Sequence, residues 1–315
     1  MRLRHLLIPL LLANVTAAAD DLPEPADATR VLRAGDSALR VQVIGPVAAP
    51  RRDELQRWLA DTARAPLAAF GRFPLPEATV RIEQTSRPSR SPVPWGQTLR
   101  RDGVSVLLYV REDASFDELR SDWTAAHELS HLFHPYLGRE GRWLAEGLAS
   151  YYQNVLRARA GLMDERDAWR ELDAGFGRGR RETSGVPLSQ LGRGGTMRVY
   201  WAGAAFWLEA DLALRRDHRS DLDAVLSKYA RCCLRGTGEV APSRFVADLD
   251  AQSGTAVFTT LYRRYALSTT FPSLEGAYAA LGLRASDDEL QFSGRPEVAR
   301  LRRDIMGRRE VPAPQ

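Results

Sequence analysis

Two histidines and a glutamate in the segment HELSH, residues 127–131, have the spacing of a zinc-binding motif. His127 and His131 are four residues apart, so a helix would place both imidazoles on one face, one turn apart. Imidazoles so placed can bind the same zinc ion. Glu128 would then lie beside the metal, where its carboxylate can accept a proton from a water molecule. The motif therefore predicts a zinc centre with Glu128 as the general base.

The third ligand of such a centre must come from outside the motif, and Glu146 is the candidate. It lies fifteen residues after His131, in the segment WLAEGLASYY. Two neutral imidazoles and one carboxylate suit zinc and leave a fourth position for water. Another zinc motif has a glycine three residues after the second histidine and its third ligand six residues after it. This chain has His134 and Leu137 at those two positions, so it does not contain that motif. We therefore predict one zinc ion per chain, bound by His127, His131 and Glu146.

A third histidine, His134, lies on roughly the same face of the predicted helix as His127. It is about 10.5 Å further along the helix axis, at ~1.5 Å per residue, which is too far for one small metal site to include both. The spacing favours a role in capping the helix or in supporting a ligand from behind.

The alternative to a metal site is an amphipathic helix that contains two histidines by chance. Three of the four histidines outside the N-terminal leader fall within eight residues, and Glu128 stands at the position of the base. This clustering favours the zinc site over a helical scaffold without metal, although short motifs of this kind also occur by chance.

The motif and the candidate third ligand are predicted to lie on two successive helices. Ser115 and Glu118 have the spacing of a capping box, and apolar residues recur every three or four positions over Phe116–His134. A second helical pattern begins near Arg142, contains Glu146 and ends before Gly161. The first helix is therefore expected to hold the histidines and the second to hold the carboxylate.

The remainder of the chain predicts a small sheet followed by helices. Strands are expected at Leu39–Ile44, Ala78–Glu83 and Val104–Val110. The edge of such a sheet could bind an extended peptide. Residues 175–195, rich in glycine and arginine, are expected to form a loop beside a cleft. Helices are expected at Arg51–Phe70, Glu165–Leu172, Met197–Arg215, Leu222–Tyr229, Ser243–Ala251, Val257–Tyr265 and Ser273–Leu281.

The N-terminus predicts export. Residues 1–19 combine Arg2 and Arg4, a short apolar run and small residues up to Ala19, which is typical of a secretory signal peptide. Cleavage is expected near Ala19, giving a periplasmic or secreted protein. We divide the rest into a flexible lead-in at 20–35, an N-terminal α/β lobe at 36–134, a helical lobe at 135–283 and a tail at 284–315.

Composition excludes several classes of function. The 315 residues are 44% hydrophobic and carry a net charge of +4, of which Arg2 and Arg4 of the leader contribute two. Such a charge does not indicate nucleic acid binding, and no later segment predicts stable membrane insertion. Cys232 and Cys233 are the two cysteines, and we expect two poorly exposed thiols, with a disulfide between neighbours as the alternative.

Three segments resemble the gluzincin metallopeptidases, and most of all the glycyl aminopeptidase branch of the thermolysin-like clan. They are HELSH, WLAEGLASYY and YWAGAAFWLEADLALR, the last with Asp211 and Arg215 near its end. Weaker likeness extends through FVADLDAQSG, FTTLYRRYA and AYAALGL. The resemblance covers roughly residues 99–283 and implies an α+β, thermolysin-like catalytic domain, in which a small mixed sheet and the HExxH helix precede a mostly helical lobe.

The resemblance also implies an activity and a further site residue. It implies a zinc metallopeptidase that acts on a peptide or protein substrate, with Glu128 as the base and Tyr200 as the residue that stabilises the transition state. Tyr200 could instead be a core aromatic beside Trp201 and Phe206. The chain has no Gly–x–Met–Glu–Asn segment before HELSH, so aminopeptidase and endopeptidase action both stay open. An inactive zinc-binding protein that presents its cleft to a peptide or partner is the alternative function.

Overall fold

A mixed β-sheet forms the first part of the fold in the computed structural model, which describes residues 29–100, 103–182, 184–192, 195–286 and 289–315. Its strands are β1 Thr29–Ala34, β2 Ser37–Ile44, β3 Glu77–Thr85, β4 Trp95–Leu99 and β5 Ser105–Arg111. Their order is β1-β2-β3-β5-β4; β2, β3 and β5 are parallel, and the two edge strands are antiparallel. Alternate residues of β5 are buried, as expected when a strand packs one face against helices.

Helices α1 Ala49–Thr62 and α2 Arg64–Phe70 follow β2, and helices α3 Phe116–Ser121 and α4 Thr124–Ser130 follow β5. A 3₁₀ turn, His131–Phe133, continues α4. The single helix predicted over Phe116–His134 is thus wrong. Asp122 interrupts it because its backbone is extended, and its carboxylate accepts a hydrogen bond from the Thr124 N–H at 2.7 Å. The predicted Arg51–Phe70 helix is likewise divided, at Ala63.

Helices dominate the second half of the chain, as predicted. They are α5 Arg142–Arg159, α6 Glu165–Arg181, α7 Thr196–Asp217, α8 Leu222–Cys232, α9 Pro242–Ser253, α10 Val257–Ala266, α11 Glu275–Leu281 and α12 Pro296–Met306, with a hairpin of β6 Leu283–Ala285 and β7 Leu290–Phe292 before α12. The α+β class and the order of a small mixed sheet before a helical part are confirmed. The lobe boundary at residues 134 and 135 stays a prediction.

Several predicted irregular segments are ordered. Residues 29–34 of the expected lead-in form β1, and the expected tail at 284–315 contributes to the hairpin and forms α12. The two ends are joined, because the backbones of Arg33 and Gln315 exchange hydrogen bonds of 2.6 and 3.0 Å. Helix α6 extends to Arg181, so the first part of the expected loop at 175–195 is helical. The predicted signal peptide and residues 20–28 lie outside the described residues.

The two cysteines form a disulfide with each other at the end of α8. The expectation of two poorly exposed thiols is therefore wrong, and Cys232 is exposed. In the part of the chain that the structure describes, no helix has the length and apolar character needed to cross a bilayer.

Candidate metal centre

The predicted ligands come together where α4 faces α5. The Oε2 atom of Glu146 lies 3.3 Å from Nε2 of His127 and 3.6 Å from Nε2 of His131. Both imidazoles are buried, and their ring centroids are 5.0 Å apart. The structure thus brings the HExxH histidines and the downstream carboxylate to one point, with one atom of each directed at the others.

Helices α5 and α7 cross at a pair of glycines, and this crossing determines where the carboxylate of Glu146 lies. Gly147 of α5 lies against Gly203 of α7, where a Cβ on either residue would overlap the backbone of the opposite helix. Glu146 immediately precedes Gly147, and Tyr200 lies one turn before Gly203. The close approach therefore brings the phenol of Tyr200 near the carboxylate of Glu146, and burial together with this carboxylate raises the pKa of the phenol. The ring of Tyr200 also stacks on His127, with centroids 5.7 Å apart.

The hydrogen bonds behind His131 fix which of its nitrogens carries the proton. Nδ1 of His134 lies 2.6 Å from the carbonyl oxygen of Pro135, which only accepts, so this nitrogen must donate. Burial holds the pKa of His134 well below its usual value, so the ring is neutral and its Nε2 accepts. That Nε2 lies 2.9 Å from Nδ1 of His131, which therefore donates. The lone pair of His131 Nε2 is left to face Glu146.

The position of the proton on His127 is fixed in the same way. Its Nδ1 lies 2.8 Å from Oε1 of Gln153, an amide oxygen that only accepts. The proton of neutral His127 therefore sits on Nδ1, and Nε2 presents a lone pair toward Glu146. Two imidazole lone pairs and a carboxylate oxygen thus converge, and only a proton or a cation between them can relieve their repulsion. A His₂Glu set of this kind fits zinc, because zinc takes neutral imidazole and carboxylate ligands.

Glu128 lies beside the point where the atoms of His127, His131 and Glu146 meet, and its carboxylate is held by Thr98. Its ligand atoms and those of His127 and His131 lie within 4.8 Å of one another, so it could itself serve as a third ligand. However, Oγ1 of Thr98 on β4 lies 3.0 Å from Glu128 Oε2 and 3.0 Å from the Glu128 backbone oxygen. We favour Glu146 as the ligand because its oxygen faces the Nε2 atoms of both histidines, whereas Glu128 has a separate partner.

The edge strand β4 passes directly over Glu128. A Cβ on Gly96 would stand 2.6 Å from Cγ of Glu128 and 2.9 Å from Cγ2 of Thr124, so a side chain at residue 96 would displace the helix. The absence of a side chain at Gly96 therefore lets β4 approach α4 closely enough for Thr98 to reach the carboxylate.

Burial and neighbouring groups shift the pKa values of Glu128 and Glu146 in opposite directions. Burial raises the pKa of Glu128 above its usual value. Burial also raises the pKa of Glu146, but its contacts with His127 and His131 outweigh burial and lower that pKa to about 2. Burial lowers the pKa of His131 to about 3. Glu146 is thus held as an anion, whereas the raised pKa of Glu128 means that its carboxylate accepts a proton more readily.

A partly buried arginine, Arg100, holds the end of the histidine-bearing segment. Nη2 of Arg100 donates to the carbonyl oxygens of His131 at 2.6 Å and His134 at 2.5 Å, and Nη1 donates to that of Gly236 at 3.1 Å. The carbonyls of His131 and His134 follow the last turn of α4, where helix carbonyls lack partners and a positive charge is favourable. Arg100 thus fixes the backbone that carries His131.

The centre opens onto two adjoining cavities. The first, of about 810 Å³, is lined by Trp95, Gly96, Gln97, Glu128, His131, Arg139, Arg142, Glu146, Leu191, Gly192 and Tyr200. The second, of about 840 Å³, shares His131, Glu146, Gln97 and both arginines with the first. Strand β4 borders both cavities. The exposed rings of Trp95 and Tyr136 line the first and the second cavity, respectively, giving apolar surface next to the candidate ligands.

The sequence located the charged residues of this site but not the residues that support them. The structure brings His127, Glu128, His131, Glu146 and Tyr200 together, and it places His134 behind His131. Sequence reasoning missed Gly96, Thr98, Arg100 and Gln153. A glutamine seven residues after Glu146 falls on the same face of a helix, so the i, i+7 spacing could have indicated Gln153. No local pattern marks the other three, because they reach the site through β4.

Comparison with known proteins supports these assignments at the level of fold and family resemblance. The family model of the M61 glycyl aminopeptidase matches residues 133–190, which include Glu146. No curated protein matches the chain. Among solved structures, an aminopeptidase N family protein from Idiomarina loihiensis is 15% identical, with a TM-score of 0.61 over 85% of this chain and 52% of that one. Native yeast LTA4 hydrolase is 11% identical, with a TM-score of 0.51 over 78% of this chain and 40% of that one.

These likenesses confirm the predicted thermolysin-like fold and the resemblance to the glycyl aminopeptidases. This chain spans about half of the aminopeptidase N family structure and less of the hydrolase. Together, the family match and the fold support a metallopeptidase.

Proposed function

We propose that the protein is an exported zinc-dependent peptidase with one zinc ion per chain. The observation that carries the proposal is the position of Glu146 Oε2, 3.3 and 3.6 Å from two histidine nitrogens whose lone pairs face it. His127, His131 and Glu146 would hold the ion. When bound, zinc supplies Lewis acidity, which makes a water molecule nucleophilic near neutral pH and polarises a peptide carbonyl.

Glu128 would act as the general base in this mechanism. Its carboxylate lies beside the histidines, and its raised pKa suits a group that first accepts the proton of the attacking water and then delivers it to the leaving amine. The hydroxyl of Thr98 holds one carboxylate oxygen in place, which leaves the other free for proton transfer. Thr98 thus acts by positioning the base.

Tyr200 would donate a hydrogen bond to the oxygen that becomes negative during the reaction. Burial, followed by the charge of Glu146, raises the pKa of its phenol, so the hydroxyl keeps its proton and remains a donor at neutral pH. Such a donor is most useful where charge develops in the transition state. The alternative role for Tyr200 is to hold the ligand Glu146, because the phenol lies near that carboxylate.

An extended substrate is expected to lie along β4. Among the described residues this strand pairs with β5 on one side only, so its outer edge could form main-chain hydrogen bonds with a peptide. Trp95, Gly96 and Gln97 of β4 line the first cavity next to Glu128. Pairing at this edge would place a peptide bond between the candidate base and the candidate metal ligands.

The decisive experiment is digestion of a peptide library by the zinc-loaded chain, with the cleavage sites mapped by mass spectrometry. The matched variant is Glu128→Gln, which keeps the shape of the side chain but cannot accept the proton. We expect cleavage by the wild type and a loss of about 10²–10⁴-fold in the variant, with the zinc content unchanged. Cleavage sites clustered at N-termini would identify an aminopeptidase, and internal sites an endopeptidase.

The same digest tests the alternative function. An inactive zinc-binding protein that presents its cleft to a partner would bind zinc but cleave nothing, so wild type and Glu128→Gln would not differ. The presence of Glu128 beside the ligands favours the peptidase, since a binding protein does not require a base at this position.

Export is the second part of the proposal, and it rests on the sequence of residues 1–19. Removal of the segment near Ala19 would release a chain that begins at about Asp20 in the periplasm or medium. N-terminal sequencing of the exported fraction tests this. A protein that retains Met1, or one that stays entirely in the cytoplasm, would contradict it.

A further inference from the structure

Two arginines line the cleft beside the candidate metal ligands, and the peptidase function proposed above gives them no role. Arg139 lies in the turn between His134 and α5, and Arg142 is the first residue of α5. Both line the first and the second cavity, so they lie where the two cavities adjoin. Both arginines therefore line the same cavity as Glu128, the candidate base.

Arg142 is held in place by three neighbours. Its Nη1 donates to the carbonyl oxygen of Gly192 at 3.0 Å, its guanidinium lies 5.8 Å from the ring centroid of Tyr200, and its Nε lies 3.9 Å from Oε1 of Glu146. The ion pair is long, and the Oε2 atom of Glu146 faces the histidines instead. Arg142 is thus oriented toward the cleft, with its charge only partly balanced.

Arg139 has an unbalanced charge. Its side chain is exposed, and across the described residues no carboxylate comes within 4.0 Å of it. Its Nη2 would stand 3.4 Å from a Cβ on Gly192, so the guanidinium lies over the glycine whose carbonyl receives Arg142. The two guanidinium groups therefore approach the same segment of the cleft wall, and within the described ranges no side-chain hydrogen bond engages the donors of Arg139.

The carboxylates of the cleft do not neutralise this pair. In the first cavity the acidic residues are Glu128 and Glu146, which face the proposed metal and its water. Glu239 in the second cavity lies against the turn at Gly138. A free ammonium at the N-terminus of a substrate would meet two arginines on this side of the centre, whereas an anionic group would be attracted.

We propose that Arg139 and Arg142 form an anion-binding subsite, and that the peptidase prefers substrates with a carboxylate at this point. This inference rests on the proposed function. The carboxylate comes either from an Asp or Glu side chain or from the C-terminus of a short peptide, and a guanidinium can bind either one through two parallel hydrogen bonds. Arg139 would contact the substrate, and Arg142 would fix the depth at which the carboxylate binds.

The test uses alanine-based hexapeptides with a blocked C-terminus in which one Glu occupies each position in turn, together with the matching Gln peptides. An all-alanine peptide with a free or an amidated C-terminus separates the two sources of the carboxylate. We expect kcat/KM to be at least about tenfold higher for the acidic member of one matched pair, since a hydrogen bond between charged groups contributes this much. The preference should decrease with added salt.

Variants at Arg139 identify the residue responsible. Arg139→Gln should bring the ratio of kcat/KM between acidic and neutral peptides close to one, and Arg139→Lys should retain part of the preference. Arg139→Glu should reverse it in favour of a Lys-containing peptide. Arg300→Gln is the matched control, because Arg300 of α12 is exposed and lies outside both cavities, and it should keep the wild-type ratio.

The possible failures can be told apart. Equal cleavage of acidic and neutral peptides by the wild type would overturn the subsite and leave the peptidase intact. If the wild type cleaves nothing, the proposed function fails, and the subsite is judged by peptide binding to the zinc-loaded chain, measured by calorimetry. Tighter binding of an acidic or free-C-terminal peptide that Arg139→Gln abolishes would support the subsite, and equal binding of all peptides would overturn it.

Discussion

Gly147 of α5 and Gly203 of α7 lie backbone to backbone, and this contact sets the distance between Glu146 and Tyr200. It gives a physical reason for two short sequence patterns, Glu–Gly and Tyr–x–x–Gly, that otherwise look unrelated. Each pattern pairs a functional side chain with the glycine that lets its helix approach the other. The indole of Trp207 strengthens the crossing by donating to the carbonyl oxygen of Leu144 at 2.9 Å.

Gly203→Ala tests this crossing. The added methyl group would overlap the backbone of α5, so we expect the free energy of unfolding to fall by about 1–3 kcal/mol and the hydroxyl of Tyr200 to move away from Glu146. Peptide cleavage should fall at temperatures where the variant is still folded. Gly276→Ala in α11 is the matched control, since a Cβ there meets no atom within 4 Å, and its stability should be unchanged or slightly higher. Equal stability of the two variants in chemical denaturation would contradict the account.

Tyr200→Phe separates the two roles given to this phenol. If the hydroxyl stabilises the transition state, kcat should fall by about 10²–10³-fold while the zinc content stays at the wild-type level. If it serves only to hold Glu146, zinc affinity should fall first, and kcat at saturating zinc should recover. Tyr109→Phe on β5 is the control, because that residue does not line either described cavity. The account predicts the first pattern.

His134→Ala tests the chain of hydrogen bonds from the Pro135 carbonyl to His131. Without an acceptor for its Nδ1 proton, His131 loses the partner that fixes its tautomer, and we expect zinc affinity to fall about 10–100-fold. Competition with a chromogenic chelator measures this, and circular dichroism checks that the variant is folded. His218→Ala is the control, since His218 is exposed at the end of α7. An unchanged affinity in His134→Ala would remove this residue from the metal site.

A buried ion pair predicts how the stability of the protein depends on pH. Asp223 accepts hydrogen bonds from Arg159 at 2.7 Å, Arg309 at 3.1 Å and Tyr152 at 2.9 Å. Burial raises its pKa, but the two guanidinium groups outweigh burial and lower it below the usual range. Because the folded pKa is below the unfolded pKa of about 3.9, the stabilisation is fully present above about pH 4 and is lost as pH falls further.

Asp223→Asn should therefore destabilise the protein by about 3–5 kcal/mol near pH 7, since it leaves the buried guanidinium of Arg159 without a carboxylate. The difference from wild type should narrow as the pH falls below about 4, where the wild-type carboxylate becomes protonated. Asp167→Asn, in a side chain that is 60% exposed, should have little effect at any pH. A difference for Asp223→Asn that is constant between pH 7 and pH 3 in denaturant titrations would contradict the assignment.

The sequence predicts which charged residues meet at the candidate site because their spacing is local. His127 and Glu128 lie on one short helix and His131 caps its end, so their relation follows from local helical geometry. The class of fold also follows, since the strands and most helices have clear periodicity. The break at Asp122 was missed because apolar periodicity continues across it, although the Asp122 carboxylate bonded to the Thr124 N–H is itself a turn signal.

Contacts between distant parts of the chain account for the remaining errors. Strand β4 was missed because WGQTL has no strong alternation, and it is a strand because it pairs with β5. The roles of Gly96 and Thr98 depend on that pairing. In the same way, residues 29–34 and 284–315 looked irregular, but β1 pairs with β2 and the backbone of Gln315 pairs with that of Arg33. None of these pairings is visible in a local window of sequence.

The central claim is that His127, His131 and Glu146 bind zinc while Glu128 does not. The most direct test is the zinc content of the purified wild type, Glu146→Gln and Glu128→Gln, measured by mass spectrometry of the metal after dialysis. We predict about one zinc per chain in the wild type and in Glu128→Gln, and little in Glu146→Gln, because two histidines alone rarely retain zinc against buffer. A wild type without zinc, or a Glu146→Gln variant that keeps its full content while Glu128→Gln loses it, would contradict the account.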